Sequence, residues 1–258
     1  VSIMHANNEV GAINDIKLIT EKIKAHDPKI IVHSDSVQYV AHFPIDVKEL
    51  GVDLLSFTGH KFYGPRGAGV LYIKNGIKIV PQIIGGGQEK NIRAGTENVA
   101  AIIGLTKAME ISVQQRKIDI NRDQELFEEL KNFISREISG IGFTGPKEPS
   151  QRIPGMLSLI IDGIEGEAIL LGLDMQGICA SSGSACSTGS IEPSHVLTAM
   201  GIPNNLARGS LRLSFGRENT RDDIQHVTKI LPEIITNLRA LSSQKNISKK
   251  NQSEWLHS

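Results

Sequence analysis

Ile30-Ile31-Val32-His33-Ser34-Asp35-Ser36-Val37-Gln38 and, further along, Asp53-Leu54-Leu55-Ser56-Phe57-Thr58-Gly59-His60-Lys61 are built alike. Each opens on an apolar run that reads as a buried strand, Ile30–Val32 in the first and Asp53–Phe57 in the second. Each closes on small and hydrogen-bonding residues that read as a loop. Upstream, Ile16, Ile19 and Ile23 recur at helical spacing behind Asn14 and Asp15, which can cap a helix, and Pro28 follows the helix end. Downstream, Gly69-Val70-Leu71-Tyr72-Ile73 reads as another strand. This alternation predicts an α/β layer with a mainly parallel sheet. In such sheets ligands bind beyond the carboxyl ends of the strands, where Asp35 and Thr58 to Lys61 fall.

An acid and a lysine, each directly after a predicted strand, are the two side chains an enzyme needs to hold pyridoxal phosphate. The acid keeps the pyridine nitrogen protonated, and the amine forms a Schiff base with the aldehyde. Around Lys61, Thr58 and His60 offer donors to a phosphate, while Gly59 and the Gly64-Pro65-Arg66-Gly67 run suggest a tight anion-binding turn. Gln38 lies three residues beyond Asp35, so one helical turn brings it near the same site. Asn7-Asn8-Glu9 closes the first strand and offers an amide to the ring oxygen. Gly85-Gly86-Gly87 with Arg93-Ala94-Gly95-Thr96 offers backbone, a cation and a hydroxyl to a phosphate. Every one of these has a plainer alternative: a solvated lysine, a turn aspartate, an asparagine turn, a flexible glycine loop. The glycines match neither a Walker loop nor a dinucleotide fingerprint.

Composition narrows the class. The chain has 258 residues, 40% hydrophobic, enough for a core in one or two domains. A formal net charge of zero removes any general electrostatic argument for nucleic acid or an anionic membrane. No apolar run approaches the roughly 20 residues of a bilayer span, and no signal peptide is visible. Cys179 and Cys186 are too close and too few for a disulfide framework, so a reducing cytoplasm is expected. Val1 opens an apolar strand with no upstream neighbour, which reads as an N-terminally truncated chain.

The second half has a different texture. A charged helical stretch spans residues 100 to 139, followed by a strand at Leu157–Ile161, a helix from Glu165 to Leu173 and a strand near Ile178–Ala180. A long amphipathic helix follows Thr220, with Asp223 completing a capping box. The expected organisation is residues 1–115 as part of a large domain, 116–243 as a smaller α+β domain, and 244–258 as a flexible tail. Within the second domain, Ser181-Ser182-Gly183-Ser184-Ala185-Cys186-Ser187-Thr188-Gly189-Ser190 predicts an exposed, mobile loop with an available thiol. Cys179, beside Ile178, is expected to be a buried structural thiol. The plainer reading of Cys186 is an inert surface cysteine, since no cation adjoins it in sequence.

Together, N-N-E-V-G, D-S-V-Q, S-F-T-G-H-K, G-G-G-Q-E-K-N-I-R-A-G-T and S-S-G-S-A-C, in that order, resemble the cysteine desulfurases of the class V aminotransferase group, in the iron–sulfur-cluster branch. The resemblance runs from residue 1 to about 243 and implies the fold type I pyridoxal-phosphate transferase architecture. It implies that Lys61 forms the Schiff base and moves the Cα proton, with Asp35 on the pyridine nitrogen. Asn8 and Gln38 would bond the ring oxygen, Thr58 and His60 the phosphate, and Thr96 a phosphate across a homodimer interface. Arg212 would hold the carboxylate of L-cysteine. Cys186 would take the substrate's sulfur as a persulfide, leaving alanine, for delivery to an acceptor or iron–sulfur scaffold protein. Ser36 stands where the family usually has alanine, and the family's N-terminal cofactor contacts lie outside this sequence. A non-catalytic remnant, a class V aminotransferase and a selenocysteine lyase are the competing expectations.

Overall fold

Three short strands, β1 (Ser2–Met4), β2 (His33–Asp35) and β3 (Leu54–Thr58), lie parallel in that order, and β4 (Gly69–Ile73) closes the sheet antiparallel to β3. In this computed structural model the backbone is described for residues 1–183 and 193–255, and side chains only through residue 241. The α/β class and the mainly parallel sheet agree with the sequence reading. The chain divides into two units: Val1–Asn7 with Ile13–Ile118, and Asn8–Ala12 with Asp119–Ser258.

In the first unit, α1 (Ile16–His26) starts where Asp15 accepts a hydrogen bond from Leu18 N at 3.0 Å, an N-cap that relieves an orphan donor. Its Ile16 packs into a small cluster with Val32, Val52 and Leu55. The short α2 (Val47–Leu50) is capped by Asp46 and ends at Gly51, whose φ of 70° suits a residue without a Cβ. A second cluster gathers Val40, Phe62, Ala68, Ala101 and Leu105, the last two from the first turns of α4 (Val99–Glu137).

Buried Asp53 ties the layer together. It accepts from Lys24 Nζ at 2.5 Å and from Val32 N at 2.9 Å. Burial works against its charge, but those two donors and the more distant Lys74 hold its carboxyl below the ordinary range. The same contact explains a displaced strand. Ile30–Val32 was expected to pair, but Val32 gives its N–H to the Asp53 side chain and Ile30 closes a turn onto Asp27 O. Pairing therefore begins at His33, in register with Ser2 on one side and Leu54 on the other.

The second unit is an antiparallel sheet, β5 (Ile141–Phe143), β6 (Met156–Ile161) and β7 (Ser210–Ser214), with β6 central. Leu157, Leu159 and Ile161 alternate onto one face of β6, and Leu211 and Leu213 onto the same face of β7. That face meets the last turns of α4, α5 (Gly166–Asp174) and α8 (Arg221–Trp255) in one large cluster including Leu130, Ile134, Leu173 and Leu231. Two short helices, α6 (His195–Ala199) and α7 (Asn204–Ala207), precede β7. Asp223 accepts from Thr220 N at 2.8 Å at the start of α8, the expected cap. The helix continues to Trp255.

Two local expectations are corrected. Residues 178–180 form no strand, and pairing starts only at Ser181, bridged to Arg212. Cys179 is exposed, not buried. Its neighbours Ile178 and Ala180 both pack on the large cluster, and two-residue alternation turns the residue between them outward.

Candidate active site

The carboxyl ends of β1, β2 and β3 line up because their register pairs Met4 with Asp35 and Asp35 with Ser56. His5, Asp35 with Ser36, and the Thr58 to Lys61 turn therefore leave the sheet side by side. Asp35 is half-buried, and its Oδ1 accepts from Val37 N at 3.0 Å, which fixes the start of the next turn. Gln38 lies half-buried on that turn, held by bonds from Tyr39 N and Val40 N to Ser36 O.

Lys61 is exposed on a 3₁₀ turn, Gly59–Phe62, that follows β3 directly. Phe62, 1% exposed, pins the turn into the core. The glycines here serve the fold. A Cβ on Gly59 would approach Leu105 Cγ to 3.1 Å, and one on Gly64 would approach Gly59 O to 2.9 Å. Gly59 N is already spent on Ala68 O at 3.1 Å, so it is not a phosphate donor as the turn stands. The Thr58 hydroxyl donates to Ala68 O at 3.0 Å and lies 3.0 Å from His60 Nδ1. With its one proton on Ala68 O, Thr58 accepts from Nδ1–H, which leaves Nε2 of exposed His60 outermost.

Two side chains not singled out in the sequence sit at the same strand ends. The His5 ring stacks on Tyr39, centroids 3.5 Å apart and 6° from parallel, and its Nδ1 lies 3.1 Å from Ser36 Oγ. Burial pushes the His5 pKa down to about 4, against the pull of Asp15 in the other direction, so the ring is neutral near pH 7. Ser36, 0% exposed, is thus the hydrogen-bond partner of a buried imidazole. Only the isolated histidine closing an apolar strand, in Met4-His5-Ala6, hints at this in sequence.

Thr96 is exposed on a loop closed on itself: Gly95 N donates to Gln88 Oε1 at 3.1 Å, and Arg93 Nη1 to Gly95 O at 3.0 Å. Within α3 (Gln88–Asn91) and at its end, Glu89, Lys90 and Asn91 all have positive φ, between 46° and 64°, a strained run for residues with a Cβ. Asn8 and Arg212 belong to the second unit. Arg212, half-buried in β7, donates from Nη1 to Asn8 O at 2.6 Å and exchanges backbone bonds with Ser181. Cys186 lies outside the described residues.

The donor set at the β1–β3 ends fits pyridoxal phosphate: a carboxylate, an exposed amine on a pinned turn, a hydroxyl with an imidazole, and stacked rings. Comparison with known proteins agrees. The family described as Aminotransferase class-V matches residues 1–227, and the chain belongs to that family. It is 47% identical to the cysteine desulfurase IscS of Clostridium botulinum over 254 residues, 98% of this chain and 64% of the relative. The IscS of Methanosarcina thermophila is 46% identical over 94% of this chain and 59% of its own length. Among solved structures, a NifS-like protein from Rickettsia africae superposes with a TM-score of 0.82 at 35% identity, covering 91% of this chain and 61% of that one. A structure described as SspA in complex with cysteine gives 0.64 at 30% identity, over 83% and 58%. This chain thus spans less than two thirds of the length of these relatives.

Proposed function

We propose that this chain carries the lysine, acid, arginine and thiol of a pyridoxal-phosphate-dependent cysteine desulfurase, which converts L-cysteine to L-alanine and passes the sulfur to Cys186 as a persulfide. The observation that supports it most is the shared edge on which Asp35 and the Thr58 to Lys61 turn leave adjacent parallel strands. The first unit is then the C-terminal part of the large cofactor-binding domain, and the second the small domain bearing the thiol segment.

When bound, the cofactor supplies an electron sink for the substrate's carbon framework. Asp35 keeps the proton on the pyridine nitrogen, and Asn8 and Gln38 bond the ring oxygen. His60 and Thr58 hold the phosphate, Thr58 by turning its hydroxyl proton away from Ala68 O. Lys61 anchors the group and then carries the proton at the substrate's Cα. Arg212, oriented by Asn8 O, pairs with the substrate carboxylate. Cys186 accepts the sulfur as its bond to carbon breaks. The product is made in the cytoplasm for iron–sulfur cluster assembly, with a scaffold or other acceptor protein taking the sulfur.

A homodimer completes this reading. Val80, Ile83, Ile84, Val99 and Ile103 are all exposed around the Thr96 loop, apolar surface that a second copy would cover while Thr96 reaches its phosphate. Among the described residues no helix is long and apolar enough to cross a membrane.

The test is the visible spectrum of the cofactor-loaded protein before and after L-cysteine, with sulfide and alanine assayed together. Lys61→Ala should abolish the chromophore. Cys186→Ser should keep the chromophore and stop persulfide formation. A folded protein with no cofactor spectrum would mark a non-catalytic remnant. Keto-acid release would mark an aminotransferase, and a strong preference for selenocysteine a lyase of that substrate.

A further inference from the structure

A cavity of about 380 Å³ lies in the second unit, lined by α4, β6 and the loop that follows β5. Its volume falls at the small end of the range for ligand cavities. Phe127, Phe143 and Met156 give it apolar walls, and Lys131, Lys147 and Arg152 bring positive charge. Among the described residues that line it there is no acid.

Arg152 is only 8% exposed, and its guanidinium carbon lies 3.5 Å from the centroid of the Phe127 ring. Its Nη2 donates to Glu128 Oε1 at 2.8 Å. Among the described residues its Nε and Nη1 meet no acceptor, so the cost of burying this cation is met only in part. Lys131 Nζ stands 5.7 Å from the Phe127 centroid and 6.0 Å from that of Phe143, and neither it nor Lys147 has an acidic partner among the described residues. Ser158, also buried, accepts from the Thr144 hydroxyl at 2.7 Å, which leaves its own hydroxyl proton unspent. The wall is fixed in advance. Thr144 N donates to Ser158 O at 2.9 Å, and Gly145, at φ +86°, passes so close to Val10 O that a Cβ would collide with it.

We propose that this cavity binds a small organic acid, its carboxylate on the open N–H groups of Arg152 and the Ser158 hydroxyl, its apolar body against Phe127, Phe143 and Met156. A carboxylate suits the head because the guanidinium is planar and Phe127 already covers one of its faces, so an acceptor must approach in plane. Lys131 and the exposed Lys147 draw the anion in. The cavity belongs to the second unit and the Asp35–Lys61 edge to the first, so binding here is independent of the sulfur-transfer reading.

The experiment titrates phenylacetate into the full chain saturated with pyridoxal phosphate, measures affinity by calorimetry and locates the probe by amide NMR shifts. Saturable binding is expected, with shifts at Thr144, Gly145 and Lys147. Phenylacetamide, which keeps the ring and lacks the charge, should bind about tenfold more weakly. Acetate, which keeps the charge and lacks the ring, should also lose about tenfold or more, because the apolar walls go unused. Ser158→Ala should weaken phenylacetate binding about fivefold, the scale of one hydrogen bond. Lys131→Gln, at a partly exposed side chain, should weaken it about threefold and decides the point should Ser158→Ala not fold. No saturable binding of phenylacetate, or binding whose shifts lie elsewhere in the chain, overturns the proposal. So does an equal affinity for phenylacetamide or for acetate, and so does an affinity unchanged in both variants.

Discussion

The first unit presents its polar side chains at the ends of parallel strands over two small apolar clusters, whereas the second backs an antiparallel sheet with one large cluster and holds Arg212 in mid-strand. The contrast follows from strand direction. Parallel neighbours put every carboxyl-end loop on one edge, so His5, Asp35 and Lys61 gather without any long-range arrangement of side chains. Antiparallel neighbours send successive loops to opposite edges, and in the second unit Arg212 stands within a strand and not at a shared loop edge. Arg212 is accordingly steadied by backbone, the carbonyl of Asn8 and the bridge to Ser181. The sheets differ too: β4 of the first unit leaves Val70 and Leu71 exposed, while the second unit buries nearly all of its central strand β6.

The largest expected effect tests that difference in cores. Leu159, 0% exposed in the large cluster, should cost about 3–5 kcal/mol as Leu159→Ala, because closely packed neighbours cannot collapse into the cavity. Leu55, 1% exposed in a cluster of four buried residues, should cost about 2–3 kcal/mol as Leu55→Ala. Urea unfolding, read unit by unit through amide exchange, measures both. Equal costs would erase the contrast between the cores.

A second effect belongs to the first unit alone. An unfolded His5 takes up a proton as pH falls below 6.5, but the folded ring resists until about 4. The stability it contributes is therefore complete above pH 6.5 and declines as pH falls from there to about 4, by up to about 3 kcal/mol. Thermal melts across that window should show the decline. His5→Phe, which keeps a ring against Tyr39, should flatten it. Ser36→Ala should cost about 1 kcal/mol near pH 7, since Nδ1 loses its Ser36 partner.

Much of this was legible in the residues. The helix behind Asp15, the strands at Leu54–Thr58 and Gly69–Ile73, and the placement of Asp35 and Lys61 at strand ends all follow from local periodicity and caps. Other features depend on partners distant in sequence. The start of β2 at His33 reflects Asp53, which competes for the amide of Val32. The outward turn of Cys179 reflects where Ile178 and Ala180 find the core. His5 against Tyr39 and Glu9 against Ser194 each join residues that no spacing rule connects. Gly59 looked like an anion-loop glycine, but the close approach of Leu105 from α4 gives it a packing reason.

The smallest effect separates two roles of one side chain. Asp15 caps α1 through Leu18 N, and its charge also draws the His5 pKa upward against burial. Asp15→Ala removes both and should cost about 1 kcal/mol near pH 7, mostly the cap. Asp15→Asn keeps a good capping oxygen and removes only the charge. Its stability near pH 7 should match the wild type, while the His5 imidazole, followed by NMR titration, should protonate at a still lower pH. That would widen the pH window in which the first unit weakens and leave the second unit untouched. A midpoint unmoved by Asp15→Asn would instead mean that burial against Tyr39 and Ser36 alone sets the His5 titration, and the acid sensitivity of the strand-end cluster would then be a property of its packing.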